Sequence, residues 1–183
     1  GPCPTPPFVQ RVIPVGLDPV GVAYDAGKGE VFVANPSSDN LTVISAVTDQ
    51  VVTSVPEGGG NPWGIAYDGA KGELFVSNYN GNSVSVVSDS SNSVVATIPV
   101  GSTPDGIAYD PAKGEVFVAN ANCGVGCGAS TLSVISDATN TVVATLAVGD
   151  GTREIAYDSG RGEVFAANEA SSNVSVVSDA TDA

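Results

Sequence analysis

The chain has no histidine, no methionine, one tryptophan, and only six lysines and arginines together. Without His, the usual general base, the usual haem ligand and most zinc and copper sites are gone. Six cations against twenty acids leave a net charge of −14, so no basic face is available for nucleic acid. No run approaches the roughly 18 apolar residues of a spanning helix, so no membrane span is expected. Met is missing even from position 1, which points to a processed product or a fragment, with loss of an export signal the simplest cause. What remains is 183 residues, 42% hydrophobic and 14% charged, the balance of one folded domain rather than of disorder.

Self-similarity dominates the pattern. Gly21-Val22-Ala23-Tyr24-Asp25 recurs as Gly64-Ile65-Ala66-Tyr67-Asp68 and as Gly106-Ile107-Ala108-Tyr109-Asp110. A fourth copy reads Glu154-Ile155-Ala156-Tyr157-Asp158, with Glu in place of the leading Gly. The tyrosines are spaced by 43, 42 and 48 residues. Periods of about 40–50 residues with four strand-like segments each mark propeller blades. Within residues 104–149, a short strand at 107–109 leads through a turn at 110–115 into a Val- and Phe-rich strand at 115–120. Alternation at 132–136 predicts a half-exposed strand, and 142–146 a fourth. No segment carries a helical period, so the fold is expected to be all-β.

The phrases Ile98-Pro99-Val100-Gly101, Gly106-Ile107-Ala108-Tyr109-Asp110, Val116-Phe117-Val118-Ala119-Asn120 and Val134-Ile135-Ser136 resemble the YVTN-type β-propeller repeat, common in surface-layer and other exported proteins of archaea and bacteria. The resemblance runs from about Val9 to Asp179. It implies a β-propeller and an extracellular or cell-surface location. The repeat count predicts four blades near 17–58, 59–101, 102–149 and 150–183, behind a Pro-rich tail at 1–8. The last copy ends without a fourth strand, whereas residues 9–16 align with 94–101, so the N-terminal strand is expected to complete the last blade. That pairing would cover an exposed edge; donation of the same strand to a second copy is the alternative. Phe32, Phe75, Phe117 and Phe165 share one repeat position and are assigned to the core.

Candidate sites lie where the repeat breaks. Just before each first strand stand Val20, Trp63, Asp105 and Arg153, which a propeller would gather at one mouth of its channel as contacts for a ligand or partner. The Asp-x-x-[Lys/Arg]-Gly-Glu turns suggest calcium through their carboxylates, but Lys28, Lys71, Lys113 and Arg161 would repel a cation, and turn chemistry explains the Asp and Gly. No metal or cofactor is expected. An insertion in the third unit holds Cys123 and Cys127, candidates for a local disulfide, and leaves Cys3 for an intermolecular bond; pairing of Cys3 with the loop and free thiols are the alternatives. Asn40 and Asn173 begin N-glycosylation tripeptides. With no His to activate a nucleophile, the expected role is non-enzymatic: an acidic extracellular subunit assembling with itself into a surface layer or filament. A propeller binding a glycan or protein at the channel mouth is the alternative.

Overall fold

Strands dense in Val, Ile and Phe, punctuated by Asp- and Gly-bearing turns, build an all-β chain in the computed structural model, which describes residues 9–58, 60–122 and 129–179. Four antiparallel sheets follow one another along the chain. The first comprises β1 (Val22–Asp25), β2 (Glu30–Asn35), β3 (Asn40–Ser45) and β4 (Gln50–Pro56), with a single 3-10 turn at Pro36–Ser38. The second holds β5 (Pro62–Asp68), β6 (Glu73–Asn78), β7 (Ser83–Ser88) and β8 (Ser93–Pro99). The third holds β9 (Pro104–Asp110), β10 (Glu115–Asn120), β11 (Thr131–Ser136) and β12 (Thr141–Ala147). The fourth has three strands: β13 (Thr152–Asp158), β14 (Glu163–Asn168) and β15 (Asn173–Ser178). Each strand pairs with its chain neighbour, the arrangement of a β-propeller. No helix among the described residues is long and apolar enough to cross a membrane.

The turns between first and second strands explain the repeated Asp and Gly. Asp25 Oδ1 accepts from the backbone N–H groups of Gly27 (2.7 Å) and Lys28 (3.1 Å), and Asp68 does the same for Ala70 and Lys71. Gly29, Gly72, Gly114 and Gly162 then take φ of 65–67°, a left-handed conformation that a side chain would strain.

Sheets stack face to face, and the packing has a direction. Phe32, Leu41 and Val43 meet Leu74, Val76 and Val87 of the second sheet. Phe75, Val84 and Val86 meet Val116, Val118 and Ile135 of the third, and Phe117, Leu132 and Val134 meet Val164, Ala166 and Val177 of the fourth. Each fully buried Phe contributes about 1.5–3 kcal/mol from its apolar area. Phe165 departs from the expectation: it is only half buried, because among the described residues no sheet packs over this face of the fourth. Among the described residues no apolar cluster joins the fourth sheet to the first.

The N-terminal segment also differs from expectation. Residues 9–15 form no strand and do not complete the last sheet; β15 is bonded on one side only, and Val9 and Val12 are 81% and 83% exposed. The cause lies at the other end of the segment. The Gly16 N–H donates to Thr42 Oγ1 (3.3 Å), Leu17 N–H donates to Ser38 Oγ (2.7 Å), and Arg11 pairs with Asp49 at 3.5 Å. These tie the segment to the first sheet, and the fourth sheet is not packed there. Gly16 abuts the buried Asn35 just as Gly101 abuts Asn120 in the following unit. Residues 9–15 are thus held where the outer strand of a preceding sheet would run.

Candidate functional site at the channel mouth

The first strands of all four sheets converge on a central pocket of about 240 Å³. Val20, Trp63, Ile65, Ile107 and Glu154 line it. The close approach of strands at this axis requires glycine. A Cβ on Gly21, Gly64 or Gly106 would stand under 3.0 Å from the carbonyl oxygens of Trp63, Asp105 and Arg153 respectively. Glu154 occupies the same repeat position at the end of the series and is exposed.

Three of the four expected mouth residues are brought together through a residue the sequence reading omitted. Trp63 is half buried and packs on Tyr79, with ring centroids 5.4 Å apart at 36°. The Tyr79 hydroxyl lies beside Arg153. Arg153 Nη1 in turn donates to Asp105 Oδ2 (3.2 Å), while its Nε donates to Glu169 Oε2 (3.0 Å). Hydrogen bonds to Glu169 and Asp105 push the guanidinium further from deprotonation, against the cost of its partial burial. Asp105 is 3% exposed; burial raises its carboxyl above the usual range, and Arg153 opposes that rise. Asp105 is therefore a buried anchor rather than a free contact. The Val20 side chain, by contrast, is exposed and lines the central pocket.

Tyr79 and Glu169 follow the repeated Asn78 and Asn168, where the other two units carry Pro36 and Ala121. This is a second irregular position in the repeat, and it lies one residue past the end of the strand beside the first. That pairing of irregular positions was the available signal.

Outside the mouth, Glu57 breaks the repeat more sharply. It stands where the next two units place Val100 and Val148, both packed into inter-sheet cores. Glu57 is 7% exposed and neither carboxylate oxygen meets a donor at hydrogen-bond geometry. Burial pushes its pKa up to about 7; the nearby Ser85 hydroxyl moderates the rise and the Asp39 carboxylate adds to it.

Of the remaining candidates, Asn173 is exposed and Asn40 half buried, and the side-chain oxygen of each accepts from the repeated Asn, at 2.7 Å from Asn168 and 2.9 Å from Asn35. Cys3, Cys123 and Cys127 lie outside the described residues.

No protein-family model and no curated protein matches the chain. Solved structures do. Kuenenia stuttgartiensis hydrazine synthase superposes with a TM-score of 0.82 at 22% identity, over 96% of this chain and 51% of that one. A chain of a nidogen/laminin complex superposes with a TM-score of 0.72 at 15% identity, over 88% of this chain and 61% of that one. The likeness is one of fold. This chain spans about half and three-fifths of the lengths of those two. At such identities the shared property is the all-β stack of antiparallel sheets, and chemistry does not transfer with it.

Proposed function

We propose that this chain is a non-enzymatic, extracellular structural subunit, a four-bladed β-propeller that assembles with itself into a surface layer or filament by donating its N-terminal strand. One observation carries the reading: among the described residues, a three-stranded sheet with a bare β15 edge coexists with a segment, 9–15, that copies an outer strand in sequence yet joins no sheet. Unpaired edge N–H and C=O groups template the addition of a strand. The segment's own repeat register says how it would add, since residues 9–16 copy 94–101, the outer strand of the second sheet. Head-to-tail donation of this kind extends into open chains unless the rotation closes. The repeat resemblance and the exposed Asn173 tripeptide favour an extracellular setting.

Electron micrographs and native mass measurement of the purified chain test this. Ordered fibres or lattices, strengthening as salt screens the net charge of −14, are expected. Val100 donates to Asn82 at 3.1 Å, so by strand alternation the N–H of Ala96, and of its counterpart Arg11, faces the partner strand. Arg11→Pro should therefore abolish assembly. A strictly monomeric parent at high concentration overturns the proposal.

The mouth supports a second reading, a propeller that binds a glycan or protein. Trp63, Tyr79 and the Arg153 head group present an aromatic and cationic surface beside the central pocket, the residue types that anchor binding surfaces.

A further inference from the structure

We infer that the channel mouth takes one neutral pyranose ring of a glycan, stacked on Trp63 and Tyr79 and held through two adjacent hydroxyls by Arg153 and Glu169. This rests on the second reading above, that the mouth is a binding surface, and names the class of ligand which that surface fits.

The side chains stand on a frame that repeats. In three units the residue after the repeated Asn donates its backbone N–H to the linker ahead of its sheet: Tyr79 to the Asn61 carbonyl (3.0 Å), Ala121 to Thr103 (3.1 Å) and Glu169 to Gly151 (3.0 Å). The bond stays the same and only the side chain changes, from the methyl of buried Ala121 to a phenol and a carboxylate. At the start of the first strands the side chain changes likewise, as Trp63, Asp105 and Arg153. The second, third and fourth sheets, which pack on one another within the chain, bring these residues together, so the grouping depends on neither terminus. Main-chain bonds fix the positions before any ligand arrives, which lowers the ordering cost of binding.

The rings supply the stacking surface. Trp63 and Tyr79 are both half buried, with centroids 5.4 Å apart and planes tilted by 36°. The C–H groups on one face of a pyranose are apolar and weakly positive, and settle on the negative π face of an aromatic ring.

The charges select against charged ligands. The Arg153 side chain is 41% exposed and that of Glu169 71%, so both reach a ligand, whereas buried Asp105 only holds Arg153 in place. A lysine or arginine side chain entering the mouth meets Arg153, its like in charge. A uronic acid, a sialic acid or a phosphate meets Glu169 and Asp105. A neutral polyol satisfies both signs at once. Arg153 Nε and Glu169 Oε2 lie 3.0 Å apart, a donor and an acceptor side by side. One ring hydroxyl donates to the Glu169 carboxylate while its neighbour accepts from the guanidinium.

Glycan-array binding and saturation-transfer NMR of the full chain test this, with the fluorescence of the sole tryptophan as the readout at the site. The probes are neutral hexose and N-acetylhexosamine oligosaccharides, oligosaccharides carrying uronic or sialic acid, and tetralysine and tetraglutamate peptides. Neutral glycans should bind and shift or quench Trp63 emission, with affinity changing less than about twofold between about 0.05 and 0.5 M salt. Glu169→Ala, at an exposed position, should weaken that binding about tenfold. Trp63→Tyr, which keeps a ring, should bind within about threefold of the parent by NMR. Circular dichroism checks that both variants are folded. Neutral glycans that leave Trp63 emission unmoved, or that bind Glu169→Ala as tightly as the parent, overturn the inference. Trp63 emission that responds only to acidic glycans or to a charged peptide also overturns it, while the mouth remains a binding surface for that other class. No response to any probe removes both.

Discussion

Lys71 of the second sheet meets Asp137 of the third at 2.9 Å, and Tyr109 donates to the second oxygen of the same carboxylate at 3.0 Å. The lysine that argued against calcium in the turn is thus a strut between sheets. Lys28 repeats the gesture by donating to the backbone oxygen of Asp89. Asp25, the acid that the Tyr67 node takes from the earlier sheet, shows how such a node balances: burial raises its carboxyl, but the nearby Tyr67 hydroxyl and donation by the Lys28 and Gly27 N–H groups outweigh that and hold it below the usual range. Burial and the two flanking carboxylates push the three node phenols up, so they stay protonated as donors.

Asp137→Ala should destabilise the chain by about 2 kcal/mol in denaturant unfolding, since the lost acceptor is buried. Lys71→Ala should cost far less, because that side chain is 37% exposed and screened by water. Equal losses for the two would contradict the node.

Stability should fall as pH rises between about 4.5 and 7. Glu57 holds its proton in the folded chain up to about 7 against an ordinary 4.5, so the folded state binds more protons in that window. Stabilisation is complete below the unfolded value and is lost as the group ionises through the folded one, by about 3 kcal/mol at most. Glu57→Val, restoring the residue type of Val100 and Val148, should flatten this slope and raise stability at pH 7. Thermal unfolding across that range reads both effects.

Phe117→Ala should cost about 3–5 kcal/mol, the penalty of emptying a packed core. At low protein concentration Phe165→Ala should cost clearly less, because its face is open. Matching penalties measured by urea unfolding would mean that the fourth sheet is covered in solution.

Trp63 is the sole tryptophan and half buried at the mouth, so its fluorescence reports occupancy there. A glycan or peptide bound at the mouth should shift or quench the emission. Trp63→Ala should weaken that binding at least tenfold while lowering stability by no more than about 2 kcal/mol. A larger stability loss would assign Trp63 to the core.

The repeat was legible because each unit must satisfy the same local physics: alternating Val and Phe to bury a face, Asp to hold the turn, Gly to take positive φ. The hairpin at 110–115 and the core placement of Phe32, Phe75 and Phe117 follow from those demands alone. The mouth was half legible. Trp63, Asp105 and Arg153 stood out as irregular, but Tyr79, which joins them, lies just past the end of a neighbouring strand, and its relevance depends on which strands are adjacent.

By itself the chain's order of residues determined the all-β class, the four-fold repeat and the turn chemistry, because these depend on neighbours a few residues apart. Only the tertiary structure decided that residues 9–15 stay unpaired, that Glu57 is sealed between sheets, and that Phe165 faces outward. Those outcomes depend on whether one sheet meets another, and closely similar local sequence is buried in one place and bare in another according to what stacks upon it.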